Sequence, residues 1–306
     1  MAFRRIHHRE LPDGSIQKVY PFHISLEGME STLICRDDED YDALQKRFYV
    51  SAWSNNSIVV ADIEMSNHGH LIVLSTDMSQ ARNVAAAIKK DHSQYLANKY
   101  HEHNTLVRSD VKVIYLDTDW YLRNALAYVP RNALDAGVAV GDYKWSSYGA
   151  MFSSARTDMS ATPVASMTRR EKEFLFHTHA DLKRVPWKVD IEGRLITASA
   201  CDHNYAERAF NNDQAFFLKT IGSVNCAEMD FKLVTGPRIR RSDNEFRKTV
   251  EELSHKWFNI DISGLSMEMK TRIVPHLYHS YNTSVPQLAR CIMLSREDVA
   301  GILRIR

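Results

Sequence analysis

Apolar and polar positions along the first half of the chain follow two periods, one suited to strands and one to helices. Residues 18–25 (KVYPFHIS) are aromatic and β-branched, predicting a strand; Pro21 points to an edge or a bulge. Residues 37–40 (DDED) suit the first turn of a helix, where carboxylates face the positive end of the dipole. Tyr41, Leu44, Phe48 and residues 50–52 then give an apolar stripe at helical spacing up to Trp53. After a turn at Asn55-Asn56, two apolar runs (58–61 and 71–74) predict a strand pair around the polar insert 66–70. Residues 79–100 predict a second helix, with Ala85, Ile88, His92, Tyr95 and Leu96 on one side, and residues 111–116 (VKVIYL) alternate as a strand. A third helix is predicted over 119–129, carrying Trp120, Leu122, Leu126 and Val129, with Pro130 set against its continuation. Residues 1–14 read as a basic lead-in with little regular structure. This order predicts a compact α+β domain with one antiparallel sheet and helices on one face.

The second half is less regular. Residues 145–148 (WSSY) read as an aromatic plug closing the first domain, taken as residues 1–152, and 153–166 as a small, polar linker. Within a middle region spanning 153–236, a helix is predicted over 169–179, a strand-like pair at 187–191 and 194–198, and a helix over 206–221, with no chemistry attached. A helical module over 237–306 opens on the basic stretch PRIRR (237–241), followed by helices at 243–258 and 266–281. Segments 284–291 and 295–304, separated by a break at 292–294, have the pattern of a helix-turn-helix. A helical hairpin packed on the rest of the chain fits that pattern equally.

With 306 residues, 44% hydrophobic and 25% charged, the chain has the material for two or three folded modules. Cys35, Cys201, Cys226 and Cys291 are scattered, which argues for reduced thiols in a cytoplasmic protein and against a disulfide frame or a zinc site. No signal peptide is evident, and no apolar run approaches the ~20 residues needed to cross a membrane. The net charge of +1 conceals an asymmetry, since residues 232–306 hold 13 Lys+Arg against 8 Asp+Glu while residues 1–155 hold 16 against 19. Nucleic acid, if it is the partner, meets bulk positive charge mainly at the C-terminal end.

The polar insert carries the first candidate chemistry. His68 and His70 run directly into the apolar block 71–74, so both are expected at the start of a strand, with their imidazoles on one face. Two neutral imidazoles on a rigid face make half of a divalent-metal site, although ordinary polar residues at a strand end have the same spacing. The pairs at 101/103 and 177/179 have no such apolar block and read as surface histidines. The second candidate lies where the third helix ends. Tyr128 and Asn132 are four apart and stack on one helical face, a phenol that can attack phosphorus and an amide oxygen that can add to a metal shell. Taken alone, a core tyrosine and a solvent-facing amide explain that pair.

Taken in order, FHIS, the acidic turn, MSNHGHLIVL, VKVIYLDTDWYL, YVPRNALDAG and YKWSSYGA make residues 15–152 resemble one family. It is the single-tyrosine transposases of the His-hydrophobic-His nuclease superfamily, in particular the REP-associated tyrosine transposase-like branch. The resemblance implies a ferredoxin-like or RRM-like sheet and metal-dependent cleavage and transfer of single-stranded or hairpin DNA. Tyr128 would be the nucleophile forming a 5′-phosphotyrosine link, and His68, His70 and Asn132 the ligands of Mg²⁺ or Mn²⁺. Candidate DNA-contacting residues are His23, Lys89, Lys90, Lys112, Arg131, Arg296 and Arg304. A homodimer and duplex DNA held by the C-terminal helices are further expectations, with no membrane partner. The chain departs from the family pattern at Gly69, where a bulky residue is usual, and at Pro130, Ala133, Asp135 and Asp110. Those departures keep open a second reading, a domesticated, non-catalytic DNA-binding protein or regulator that retains the fold.

Overall fold

The computed structural model describes residues 3–27, 33–102, 106, 111–152, 161–223, 243–280, 283 and 285–303. The chain is α+β, with 11 α-helices among the described residues, most of them in the C-terminal half. A short strand β1 (His7–Glu10) pairs with the first residues of the long β2 (Ile16–Glu27), so the lead-in expected to lack structure forms a hairpin with it. Helix α1 (Asp38–Ser54), β3 (Ile58–Glu64), β4 (His68–Ser75), α2 (Met78–Tyr100) and β5 (Val111–Tyr115) follow. β2 lies between β4 and β5, and β3 pairs with β4, giving the antiparallel order β5-β2-β4-β3 of a ferredoxin-like sheet.

Side chains at helix starts set the boundaries. Asp37 accepts from the Asp40 amide at 3.0 Å, Asp77 from the Gln80 amide at 2.8 Å, and Thr118 from the Tyr121 amide at 3.0 Å. Each such cap contributes about 1 kcal/mol. α3 (Asp119–Asp135) runs on past Val129, where the sequence predicted its end. Pro130 removes one backbone donor, but Leu126, Val129 and Ala133 are all fully buried in one core, and their packing holds the helix together across the gap.

The pleat sorts side chains into two cores. Phe22, Ile24, Leu71 and Val73 face α1 and α2, packing against Leu44, Phe48, Val84 and Ile88. Ile63, Ile72 and Leu74 face the other way, against Leu122, Leu126 and Val129 of α3. Thus α1 and α2 share one face of the sheet and α3 covers the opposite one.

The middle region wraps both cores. Its helices are α4 (Arg169–Phe176), α5 (Thr197–Ala200), α6 (His203–Ala209) and α7 (Gln214–Ser223), and two-residue strands β6 (Thr162–Pro163) and β7 (Lys188–Val189) pair with each other. Trp187 packs with the α1–α2 core, and Tyr205, Phe210 and Phe217 with the α3 core. The single helix predicted over 206–221 is two helices, because Asn211 and Asn212 adopt left-handed φ values of 58° and 57°. Residues 194–198 form no second strand; Leu195 makes one isolated bridge to Val189 before α5 begins. Helices α8 (Asp243–Phe258), α9 (Met267–Ser280), α10 (Val285–Ile292) and α11 (Arg296–Leu303) form a third, separate core around Phe246, Ile273, Leu277 and Leu288. The basic stretch 237–241, most of the predicted linker, Cys226 and Asp110 lie outside the described residues. Among the described residues no helix is long and apolar enough to cross a membrane.

Gly69 is packed closely on its α1 side. A Cβ there would lie 2.9 Å from Phe48 Cζ, so the ring of α1 already fills the space a larger residue 69 would occupy. Gly69→Leu is expected to destabilise the fold by about 1–3 kcal/mol through overpacking. Phe48→Ala in the same chain should recover part of that loss, as read from urea unfolding midpoints.

The outer edge of β3 is covered by the WSSY segment. Trp145 stacks on Tyr41 with ring centroids 5.5 Å apart, its carbonyl accepts from the Glu64 amide at 3.0 Å, and Ser147 Oγ accepts from the Asp62 amide at 2.8 Å. Beneath it, on the α1 side, Asp62 and Glu64 are both 0% exposed and share the Gln45 amide at 3.2 and 3.3 Å; Tyr49 Oη donates to Asp62 at 2.6 Å. Burial raises both carboxyl pKa values, and for Glu64 the Asp62 charge adds to it. A pKa raised on folding makes a contribution that is complete below the ordinary carboxyl range and lost as pH climbs through the raised value. The contribution of this carboxyl pair to stability should therefore fall from pH 5 to pH 8, opposite in sign to that of the buried neutral histidines. Glu64→Gln should flatten that profile and be more stable by about 1–3 kcal/mol at pH 8, measured by urea denaturation at both pH values.

Candidate metal and nucleophile site

The site is built on the face of the sheet under α3. Directly paired residues share a face, and Lys112, Ser25, His70 and Ile63 form one row across β5, β2, β4 and β3. His68 stands two residues along β4 from that row and His23 two residues along β2, so by the two-residue period both project to the same side. Tyr128 and Asn132 come down onto this face from α3.

These side chains meet. The rings of His68 and His70 are 5.1 Å apart between centroids, and His70 packs edge-on against Tyr128 at 5.2 Å. His23 stacks on His70 at 5.1 Å and meets Tyr128 edge-on at 6.4 Å. His68 Nε2 is 3.4 Å from Asn132 Oδ1, and its Nδ1 is 2.8 Å from Asn67 Oδ1. The Asn132 amide is oriented by its Nδ2, which donates to the carbonyls of Tyr128 at 2.8 Å and Val129 at 3.2 Å. With the His68 proton on Nε2, the ring donates to the oxygen of Asn132; with the proton on Nδ1, Asn67 accepts it and Nε2 is free to offer a lone pair toward a cation beside Asn132.

Burial sharpens the point. His68 is 6% exposed, and His23, His70, Tyr128 and Asn132 are each 1% exposed. Neither ring nitrogen of His23 nor of His70 has a hydrogen-bond partner among the described residues. Burial lowers the His23 pKa to about 3 and the His70 pKa well below its ordinary value; for His70 the neighbouring His23 and His68 add to the effect. Both rings are therefore neutral near pH 7, the state in which imidazole offers a lone pair to a metal. His92 provides a contrast: equally buried, on α2, it has its Nε2 2.7 Å from the carbonyl of Ile34, the arrangement of a structural core histidine. An unpartnered buried polar group costs about 1–3 kcal/mol, so the His23–His70 pair is an expensive way to fill a core. The side chains here that could offer lone pairs to a divalent cation are His68, His70 and the Asn132 oxygen. Among the described residues, no group of three or more His, Cys, Asp or Glu side chains is arranged to hold a metal ion.

The other sequence candidates divide by location. Lys112 is on the site face, and Arg131, on α3, adjoins Asn132 in sequence. Lys89 and Lys90 lie on α2, which packs on the opposite face of the sheet, so they are not part of this site. Arg296 is exposed at the start of α11, in the separate C-terminal core; Arg304 lies outside the described residues. His101, His177 and His179 are exposed, as expected; His103 lies outside the described residues. Sequence reading missed Asn67 as the partner of His68 and placed His23 among DNA contacts without linking it to His70. The first signal was an amide side chain directly before the histidine pair. The second was the strand parity of FHIS, visible only once its register against β4 is known. A cavity of about 770 Å³ at the far end of the sheet, lined by Arg9, Trp53, Arg184 and Trp187, includes none of the five site residues.

Comparison of the sequence with known protein families, and with characterised proteins, finds no match. Among solved structures, the fold is similar to a REP-associated tyrosine transposase bound to a REP hairpin, with a TM-score of 0.32 and 14% sequence identity over 48% of this chain and 83% of that one. A similarity this slight leaves the functional reading to the side chains themselves.

Proposed function

We propose that this chain cleaves and rejoins single-stranded or hairpin DNA through Tyr128, with a divalent cation held by His68, His70 and Asn132. The observation that supports this best is the set of unpartnered, neutral ring nitrogens on His70, packed against a phenol and beside the His68 Nε2–Asn132 Oδ1 contact of 3.4 Å. Bound Mg²⁺ or Mn²⁺ would draw charge from a phosphate oxygen and make phosphorus more electrophilic. Tyr128 Oη attacks phosphorus, the Oη–P bond forms, and the P–O3′ bond breaks. The 5′ end then remains on the tyrosine and a 3′-hydroxyl is released. Attack by a 3′-hydroxyl reverses the step, so strand transfer needs no outside energy source. The test is incubation of the full chain and Mn²⁺ with a labelled hairpin pool carrying randomised single-stranded flanks. A denaturant-resistant protein–DNA adduct is the expected result, and its absence across the pool would end this reading.

One observation favours a second reading. Tyr128 is 1% exposed, so the phenol meets no phosphate until α3 or its surroundings part. A DNA-binding protein that keeps the fold without the reaction fits that enclosure, with duplex contacts made by α10 and α11. The three residues between those helices include Met293 at a left-handed φ of 56°, and Ser295 Oγ accepts from the Asp298 amide at 3.0 Å to start α11. The first turn of α11, however, carries Glu297 and Asp298, which oppose DNA phosphates. DNA binding by the full chain with no adduct anywhere in the pool is the result this second reading expects.

A further inference from the structure

His23 is not needed as a metal ligand, yet it stands in the site with both ring nitrogens buried and without a partner. Its ring stacks on His70 at an interplanar angle of 28° and meets Tyr128 edge-on at 84°. It therefore lies beside both the proposed nucleophile and a proposed ligand. It comes from β2 while the ligands come from β4 and α3, so it borders the site from a different strand. A neutral imidazole always carries one N–H, and a buried N–H that meets no protein acceptor calls for an acceptor from elsewhere. In a site shared by a phenol and a cation, the acceptor that fits is a non-bridging oxygen of a phosphodiester.

We propose that His23 donates its N–H to a non-bridging oxygen of the phosphate attacked by Tyr128, making it a substrate-contacting residue. This rests on the function proposed above. As the Oη–P bond forms and the P–O3′ bond breaks, negative charge builds on that oxygen, and a fixed donor in a water-poor site binds it more tightly than it binds the ground state. The phenol proton passes to solvent and the departing 3′-oxygen takes one up from solvent, so His23 ends the step with the proton it began with.

The test uses the full chain, the labelled hairpin pool and Mn²⁺, with two variants. His23→Phe keeps a flat ring on His70 but has no N–H; His23→Gln gives up the ring but keeps an N–H donor. Loss of a transition-state donor lowers rate by about 10²–10³-fold, which is the drop in adduct formation expected of His23→Phe. His23→Gln should recover at least tenfold of that loss. Mn²⁺ affinity, followed by electron paramagnetic resonance, should stay within twofold of the native chain in both variants. An unchanged rate in His23→Phe would overturn the assignment. So would equal losses in both variants, which would make ring packing the role of His23, or a parallel fall in Mn²⁺ affinity, which would make it a ligand. If the native chain itself forms no adduct, the proposed function fails first and this assignment with it. If the native chain reacts and His23→Phe reacts equally well, this assignment alone fails.

Discussion

Replacing Tyr128 by phenylalanine is expected to abolish the covalent protein–DNA adduct while leaving the chain folded and able to bind Mn²⁺. The ring is 1% exposed and packs edge-on against His70 and His23, at 5.2 and 6.4 Å, and phenylalanine preserves both contacts. The variant therefore differs by one hydroxyl, the atom that would bond to phosphorus. Removing a nucleophile outright lowers turnover by at least about 10³-fold in well-studied cases, so adduct should fall below detection on a denaturing gel. Tyr121 is the natural control, being two helical turns earlier on α3 with a phenol that has no hydrogen-bond partner among the described residues. Burial pushes its pKa up to about 12. Tyr121→Phe should form adduct at the native rate.

Replacing His70 by alanine is expected to weaken Mn²⁺ binding by at least about 100-fold, because even residues that only orient a ligand contribute 10–100-fold to metal affinity. His70 is the hub of the cluster, touching the rings of His23, His68 and Tyr128. Its removal also relieves the cost of two unpartnered buried nitrogens, which offsets the loss of packing. Stability should consequently change far less than for an ordinary buried side chain. His92→Ala should show the opposite pattern: it loses the contact to the Ile34 carbonyl, so the chain should be less stable while Mn²⁺ affinity stays native. Isothermal titration with Mn²⁺ and urea unfolding of the same samples separate the two behaviours.

The first half of the fold was legible in the sequence because its signals are local. An acidic first turn and one long amphipathic helix locate α1 and α2 within a residue or two, and the two apolar runs locate β3 and β4, although β3 runs on past Ala61 to Glu64. The His68/His70 pair was readable for the same reason, since strand parity alone puts both on one face. What failed depended on distant contacts. The hairpin made by β1 exists through its pairing with β2, and α3 continues past Pro130 because its far end is buried against the sheet. The small residue at Gly69 has a reason only through Phe48 of α1, which occupies the space a side chain there would need. The carboxyl pair Asp62 and Glu64 gave no signal at all, because an Asp-x-Glu in a strand usually faces water, whereas here Gln45 and Tyr49 meet it from α1. His23 belongs to the same class: only its register against β4 carries it to His70.

Peptide mapping of the adduct bears most directly on the convergence of phenol, imidazoles and amide at one reacting phosphate. Trypsin should release residues 124–131 (NALAYVPR), a peptide whose one tyrosine is Tyr128. After reaction with the hairpin pool in Mn²⁺ and nuclease digestion, that peptide is expected to carry the mass of a 5′-nucleotide, and the modification should disappear when EDTA is added beforehand. A nucleotide on any other peptide, or one that forms equally well in EDTA, would contradict the assignment of Tyr128 and its metal-binding neighbours.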